Sequence, residues 1–195
     1  MNTPAHLVLN LALLGGGARV AHTRAIAAGA LLPDLPMFGF YLWQKLVRAA
    51  PERVIWGERY FDADWQVFFD VFNSIPLAAA GLGIALVFRR IGPALFCGSV
   101  IAHALLDLPL HREDAHGHFW PFSDWRFVSP VSYWDSAHFG ATASFAETAL
   151  LCAAAVVLWR RHPQRSVRAP LALLAALSVA VWTLFYGLGV IGPQP

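Results

Sequence analysis

The chain has 195 residues, 57% of them hydrophobic and only 13% charged, with a formal net charge of +2 and a mean hydropathy of +0.53. Ordinary soluble domains carry roughly 25% charge, so the composition is that of a membrane protein, and so small a positive excess gives no reason to expect a nucleic-acid partner. The two cysteines, Cys97 and Cys152, lie inside apolar runs, which argues against a disulfide framework or a thiolate metal site, and Met1 to His6 lack the basic stretch of a cleavable signal peptide.

In chain order, Thr3 and Pro4 read as an N-cap followed by proline at the first helical position, and a helix follows from Ala5 to Leu14, ended by Gly15-Gly16-Gly17. At 1.5 Å per residue this helix is too short to cross a hydrocarbon core of roughly 30 Å. A second helix is expected from Ala18 to Leu32, stopped by Pro33-Asp34-Leu35-Pro36, and a third short one from Met37 to Val47. Arg48 to Asp70 mixes charges with Trp56, Tyr60, Phe61, Trp65, Phe68 and Phe69, the composition of a membrane–water interface. Four apolar spans come next: Ile75 to Phe88, Ala94 to about Leu108, Gly140 to Trp159 and Pro170 to Ile191. The expected fold is therefore an all-α, polytopic helical membrane protein. It forms one domain over 1–195, with four to six membrane-embedded helices, a polar-site region over 1–140 and two C-terminal transmembrane helices over 140–195.

The chemistry concentrates between His103 and His138, where five of the eight histidines stand among Asp107, Asp114, Asp124 and Asp135. On a helix, His103 and Asp107 point from one face, a turn apart, which is a metal-ligand spacing. Pro109 ends that helix near Leu108, leaving His111, His116 and His118 on a loop able to fold back over its end. An imidazole with a carboxylate suits zinc, manganese or iron, and added carboxylates favour harder ions. The bland alternative is a histidine hydrogen-bonded to an acid.

Basic residues give the orientation. Arg89-Arg90 and the group Arg160, Arg161, Arg165 and Arg168 follow alternate spans, so both fall on one side, which the positive-inside rule makes cytoplasmic. The loop from His111 to His138 is then external, and with the first two helices as a hairpin, His6, Asp34, Asp70, His103, Asp107 and the loop histidines meet at one face. Asp34 would otherwise be a turn residue; but an acid near hydrocarbon costs about 2.5 kcal/mol or more without a partner, which favours a ligand. Asp70 and Asn73 have an alternative role as caps of the helix starting at Ile75. Glu147 is a candidate partner for a histidine N–H, and Trp120, Trp125, Tyr133 and Trp134 read as an aromatic belt. His116 and His118 are candidate proton carriers, outer partners or ligands of a second ion. Ser123, Ser129 and Ser132 have no nucleophile-elbow context.

Gly29-Ala30-Leu31-Leu32-Pro33-Asp34, His6, His103-x-x-x-Asp107 and Pro121-Phe122-Ser123 together resemble the bacterial membrane-bound metal-dependent hydrolases, also described as LexA-binding, inner-membrane-associated hydrolases, and remotely similar to zinc-dependent phospholipase C. The resemblance covers roughly residues 1–140. It implies a divalent metal, zinc first, held by His6, Asp34, His103 and Asp107, with Asp70 and His111 as further candidate ligands and His116 and His118 as catalytic candidates. The implied function is hydrolysis of an ester or phosphoester such as a phospholipid at the bacterial inner membrane. In place of the family's His-Arg-Gly and nearby His-Ser, this chain has Phe69-Asp70-Val71-Phe72-Asn73-Ser74, so Asp70 would have to replace a histidine. The rival readings are a structural or regulatory metal site and a metal or small-ion transporter.

Overall fold

The computed structural model describes residues 1–188, which fold as an all-helical protein without strands among those residues. The described residues form nine α-helices: α1 (Thr3–Leu14), α2 (Thr23–Leu31), α3 (Leu35–Leu42), α4 (Glu52–Gly57), α5 (Ala63–Phe72), α6 (Ile75–Val87), α7 (Ile91–Asp107), α8 (Gly140–Arg161) and α9 (Arg165–Trp182). Four continuous helical segments are long and apolar enough to cross a membrane: Arg19–Val47, Ala63–Val87, Gly140–Arg161 and Arg165–Gly187. The protein is thus a polytopic membrane protein, and side chains such as Ile84, Val87, Leu105, Leu173 and Val181 stand exposed as lipid-facing surface.

Several boundaries differ from expectation. Asn2, not Thr3, precedes α1, and it caps nothing with its side chain; its backbone and side-chain N–H groups both donate to Glu147 Oε1, at 2.8 and 2.9 Å, which ties α1 to α8. Pro33 and Pro36 bend the second helix without stopping it. Each prolyl nitrogen falls in the first turn of a new helical piece, where no N–H is needed, so α2 passes through a 3₁₀ turn at Leu32–Asp34 directly into α3. Pro170, unlike Pro33 and Pro36, lies inside a helix, since α9 begins five residues earlier at Arg165; the last part of the expected span, 189–191, lies outside the described residues. Ser74 rather than Asp70 caps α6, its Oγ accepting from Leu77 N at 3.1 Å. The expected break after Leu108 is where α7 ends.

Helix α7 is central, packed against α2, α6 and α1, and the series of neighbours continues from α1 to α8 to α9. Small and branched side chains fill the last interfaces: Ala5, Val8 and Leu9 against Leu151, Ala154, Ala155, Leu158 and Leu171. In lipid, where helix association has no hydrophobic drive, such close packing is the main attractive term. The tightest crossing is α2 on α7: a β-carbon on Gly29 would lie 2.3 Å from Phe96 O and 2.8 Å from Ser99 Cβ. At the same crossing Ser99 Oγ donates to Ile26 O (2.7 Å), and Asn10 Nδ2 donates to Ser99 O (2.9 Å), binding α1, α2 and α7 together. Away from this bundle, Phe40, Ile55, Tyr60 and Phe69 form a second core between α3, α4 and α5.

The two ends of the bundle differ in chemistry. Arg161 Nη1 donates to Ala12 O at 2.6 Å, and His22 faces Gly92, so the end of α1, the start of α2, the start of α7 and the end of α8 share one end. The breaks at Leu32–Asp34 and Asn73–Ser74, the start of α1 and the end of α7 share the other, where Asn73 Nδ2 comes within 3.5 Å of Pro33 O.

Candidate metal centre

His103 and Asp107 project from the last turns of α7, with 0% and 1% exposure. The close approach licensed by Gly29 brings the Ala30 carbonyl to His103, whose Nδ1–H donates to it at 2.8 Å. That bond puts a proton on Nδ1 and leaves Nε2 as the nitrogen available to meet an ion. Nε2 stands 3.0 Å from Asp107 Oδ2 and 3.5 Å from Asp34 Oδ1, yet it has no hydrogen-bond partner, and neither does Asp34 Oδ2. Two carboxylates and a bare nitrogen close together but unaligned for hydrogen bonding form a cation-binding geometry. An ion with tetrahedral bonds of 2.0–2.2 Å spaces its ligand atoms about 3.4 Å apart, close to the distances observed.

From α1, His6 stacks on His103 with ring centroids 3.6 Å apart and planes at 13°, and its Nε2 lies 2.9 Å from Asp107 Oδ1. His6, His103 and Asp107 offer ligand atoms all within 4.8 Å of one another. Asp107 also belongs to a second such group with His111 and His116. His111 Nε2 is 3.2 Å from Asp107 Oδ1, and His111 Nδ1 is 2.9 Å from Asp114 Oδ2. The amino nitrogen of Met1 lies 2.7 Å from Asp107 Oδ1 and 3.0 Å from His111 Nε2.

Histidine charge follows position. Burial and the neighbouring amino group push His111 down, but the Asp107 and Asp114 carboxylates outweigh both and hold its pKa up at about 9. Burial pushes His116 well below its ordinary value, with the charge on His111 adding to the effect, and burial lowers His118 too. His116 and His118 are therefore neutral imidazoles near pH 7, each with a ring nitrogen that can accept a hydrogen bond or meet a cation. His118 is also pinned: its Nδ1–H donates to Asn73 O at 3.2 Å, and its carbonyl accepts from Ile75 N at 2.9 Å.

Asp70 leaves the ligand set. Its Oδ1 accepts from Gly117 N at 2.7 Å and its Oδ2 pairs with Arg126, whose Nη1 reaches Ala115 O at 2.6 Å. Both oxygens are thus spent holding the 115–118 loop against α5; Asp34 also stands outside the groups whose ligand atoms all lie within 4.8 Å, but its Oδ2 is unpartnered and its Oδ1 is 3.5 Å from His103 Nε2. Glu147 receives Asn2 rather than a histidine N–H. Tyr133, expected in an aromatic belt, is instead against the centre, its ring centroid 5.1 Å from His111. With Asp34, Tyr60, Asn73, His111, Asp114 and His116 it lines a cavity of about 180 Å³ beside the cluster, and His6, His103 and Asp107 are not among the residues lining it. Tyr60, Asn10 and Gly117 were not singled out as site residues by sequence; only the position of Gly117 between two histidines hinted at a role. A larger apolar groove of about 690 Å³ between α3 and α5 contains none of the cluster residues and is separate from this chemistry.

No protein-family model matches the chain, and no match was found among curated proteins or solved structures. The reading of the site therefore rests on its own geometry.

Proposed function

We propose that this is a membrane-bound metal-dependent hydrolase whose divalent ion, zinc by preference, is held by His6, Asp34, His103 and Asp107, with His111 beside them. The observation that carries the reading is His103: its Nδ1–H is held by Ala30 O, and its Nε2 is buried without a partner between two carboxylates. Nitrogen and oxygen donors in equal number suit zinc, manganese or iron.

When bound, the ion lowers the pKa of a coordinated water and polarises the scissile group. The chain's own residues do the rest. His116 and His118, neutral and next to the cluster, accept the proton released by the attacking water and return it to the leaving oxygen. Tyr133 and Tyr60 line the cavity and offer phenolic donors to an ester or phosphoester oxygen. At about 180 Å³ the cavity is smaller than the 300–1,000 Å³ of typical drug-sized pockets, so it accommodates the reacting headgroup while apolar chains stay in the bilayer. The cavity reaches the cluster at Asp34 and His111, and an opening on that side favours an open coordination position over a closed structural site. Ligands gathered at one end of the bundle, rather than at several depths, count against a transporter. By the positive-inside rule the cluster faces the external side of a bacterial inner membrane.

Two measurements test this. Metal analysis of detergent-purified protein should give stoichiometric divalent metal for the wild type and less than a tenth as much for His103→Ala; equal contents would remove the site. The double substitution His116→Gln and His118→Gln should keep the metal and lower hydrolysis of a short-chain phosphoester or ester at least tenfold, the lower part of the usual general acid–base contribution of about 10²–10⁴ being partly backed up by water. Loss of the metal in that variant would make the pair ligands; unchanged activity would make the centre non-catalytic.

A further inference from the structure

The end of the bundle opposite the metal cluster carries a charge distribution the hydrolase reading does not use. Of the fourteen basic residues, Arg19, Arg24, Arg89, Arg90, Arg160, Arg161, Arg165 and Arg168 lie at the helix ends there, and none of the twelve acidic residues does. No ion pair involves any of these eight among the described residues. Two of them converge. A β-carbon on Gly16 would lie 3.7 Å from Arg161 Nη1 and 3.9 Å from Arg19 Nη2, so two guanidinium groups flank one bare glycine in the Gly15-Gly16-Gly17 turn. Each spends one N–H on a carbonyl: Arg161 on Ala12 O at 2.6 Å and Arg19 on Gly16 O at 3.2 Å. Those bonds hold the side chains in place, and the remaining N–H groups and both positive charges are left without an anion. Like charges brought this close repel unless something negative sits between them, and the planar donor fork of arginine matches phosphate oxygens.

We infer that the glycine turn between Arg19 and Arg161 seats the phosphodiester of an anionic membrane lipid. The occupant follows from placement and charge. The turn lies between α1 and α2 at the end of a membrane-embedded bundle, at the depth of headgroups, and six further arginines around it make that end attractive to an anionic leaflet. Glycines leave the room that any side chain would take from the phosphate.

The test uses the full chain in detergent and follows retention of phosphatidylglycerol against phosphatidylcholine by native mass spectrometry, with inorganic phosphate as a third arm. The wild type should retain phosphatidylglycerol selectively. Gly16→Asp puts a carboxylate between the two guanidiniums, at a position with φ −83° and only ordinary contacts for a β-carbon. It should fold, keep its metal, and lose phosphatidylglycerol retention at least fivefold; Arg19→Gln should lose it as well. Arg89→Gln with Arg90→Gln removes two charges from the same end away from the turn and should keep most of the retention. Equal retention of the two lipids, undiminished retention in Gly16→Asp and Arg19→Gln, or equal loss in the Arg89 and Arg90 variant would overturn the inference. Displacement of the lipid by millimolar inorganic phosphate would make the seat a free-anion site and overturn the lipid assignment.

Discussion

At the scale of single residues, the centre separates side chains with unpartnered donor atoms from side chains that hold those in place. His103 and Asp70 illustrate the two. His103 has one nitrogen satisfied and one bare, whereas Asp70 has both oxygens occupied, by Gly117 N–H and by Arg126. The difference predicts opposite outcomes for substitution. Asp70→Asn should leave metal content unchanged and lower stability by about 1.5–3 kcal/mol, the range for losing hydrogen bonds to a charged group. The measurement is chemical denaturation beside metal analysis, and loss of metal without loss of stability would return Asp70 to the ligand set. The space above Asp70 is equally committed, since a β-carbon on Gly117 would fall 2.5 Å from Asp70 Oδ2.

At the scale of elements, the cluster sits where helices are interrupted. Segments Arg19–Val47 and Ala63–Val87 are both long enough to span a membrane, and both are broken at the level of the cluster, at Leu32–Asp34 and at Asn73–Ser74. Breaks free backbone carbonyls and polar side chains deep in an apolar protein, and these are tolerated only where they line a cavity or find partners. Asn73 O is one such group and receives His118. The element that sets the geometry is the α2–α7 crossing. Gly29→Ala would drive a methyl into the Phe96 carbonyl, a backbone atom that cannot rotate away. The helices must separate, lengthening the bond from His103 Nδ1 to Ala30 O. Overpacking of this kind costs about 1–3 kcal/mol. Metal affinity should fall at least tenfold, whereas Gly98→Ala on α7, where a β-carbon meets nothing within 4 Å, should leave it unchanged. Titration of metal into apoprotein distinguishes them; equal affinities would separate the crossing from the site.

For the whole molecule, the axis from arginine end to metal end is the organising feature. Arg161 on Ala12 O and Asn2 on Glu147 show that α1 and α8 run parallel between those ends. Reporters placed after Arg90 and after Arg165 should read cytoplasmic and one after Asp124 external, by the positive-inside rule. The reverse pattern would invert the orientation and leave the ligand geometry as it is.

The sequence by itself determined the helical membrane class, the break after Leu108, and the shared face of His103 and Asp107, because these follow from local apolar composition, proline chemistry and helical periodicity. Proline was misread at Pro33, since its effect depends on whether a new helical turn begins at that residue, which neighbouring contacts decide. Only the tertiary structure decided which acids stand beside the histidines. Asp34, Asp70 and Glu147 are alike as single acids in apolar surroundings, but partners 47 to 145 residues away in the chain occupy the oxygens of Asp70 and one oxygen of Glu147, while Asp34 Oδ2 stays bare beside His103. Tyr133 was likewise legible only as an amphipathic ring, and its place against His111 depends on how the loop closes over α7. Spacing along one helix is fixed by backbone geometry, whereas the partners a buried polar group finds are fixed by packing between elements distant in sequence.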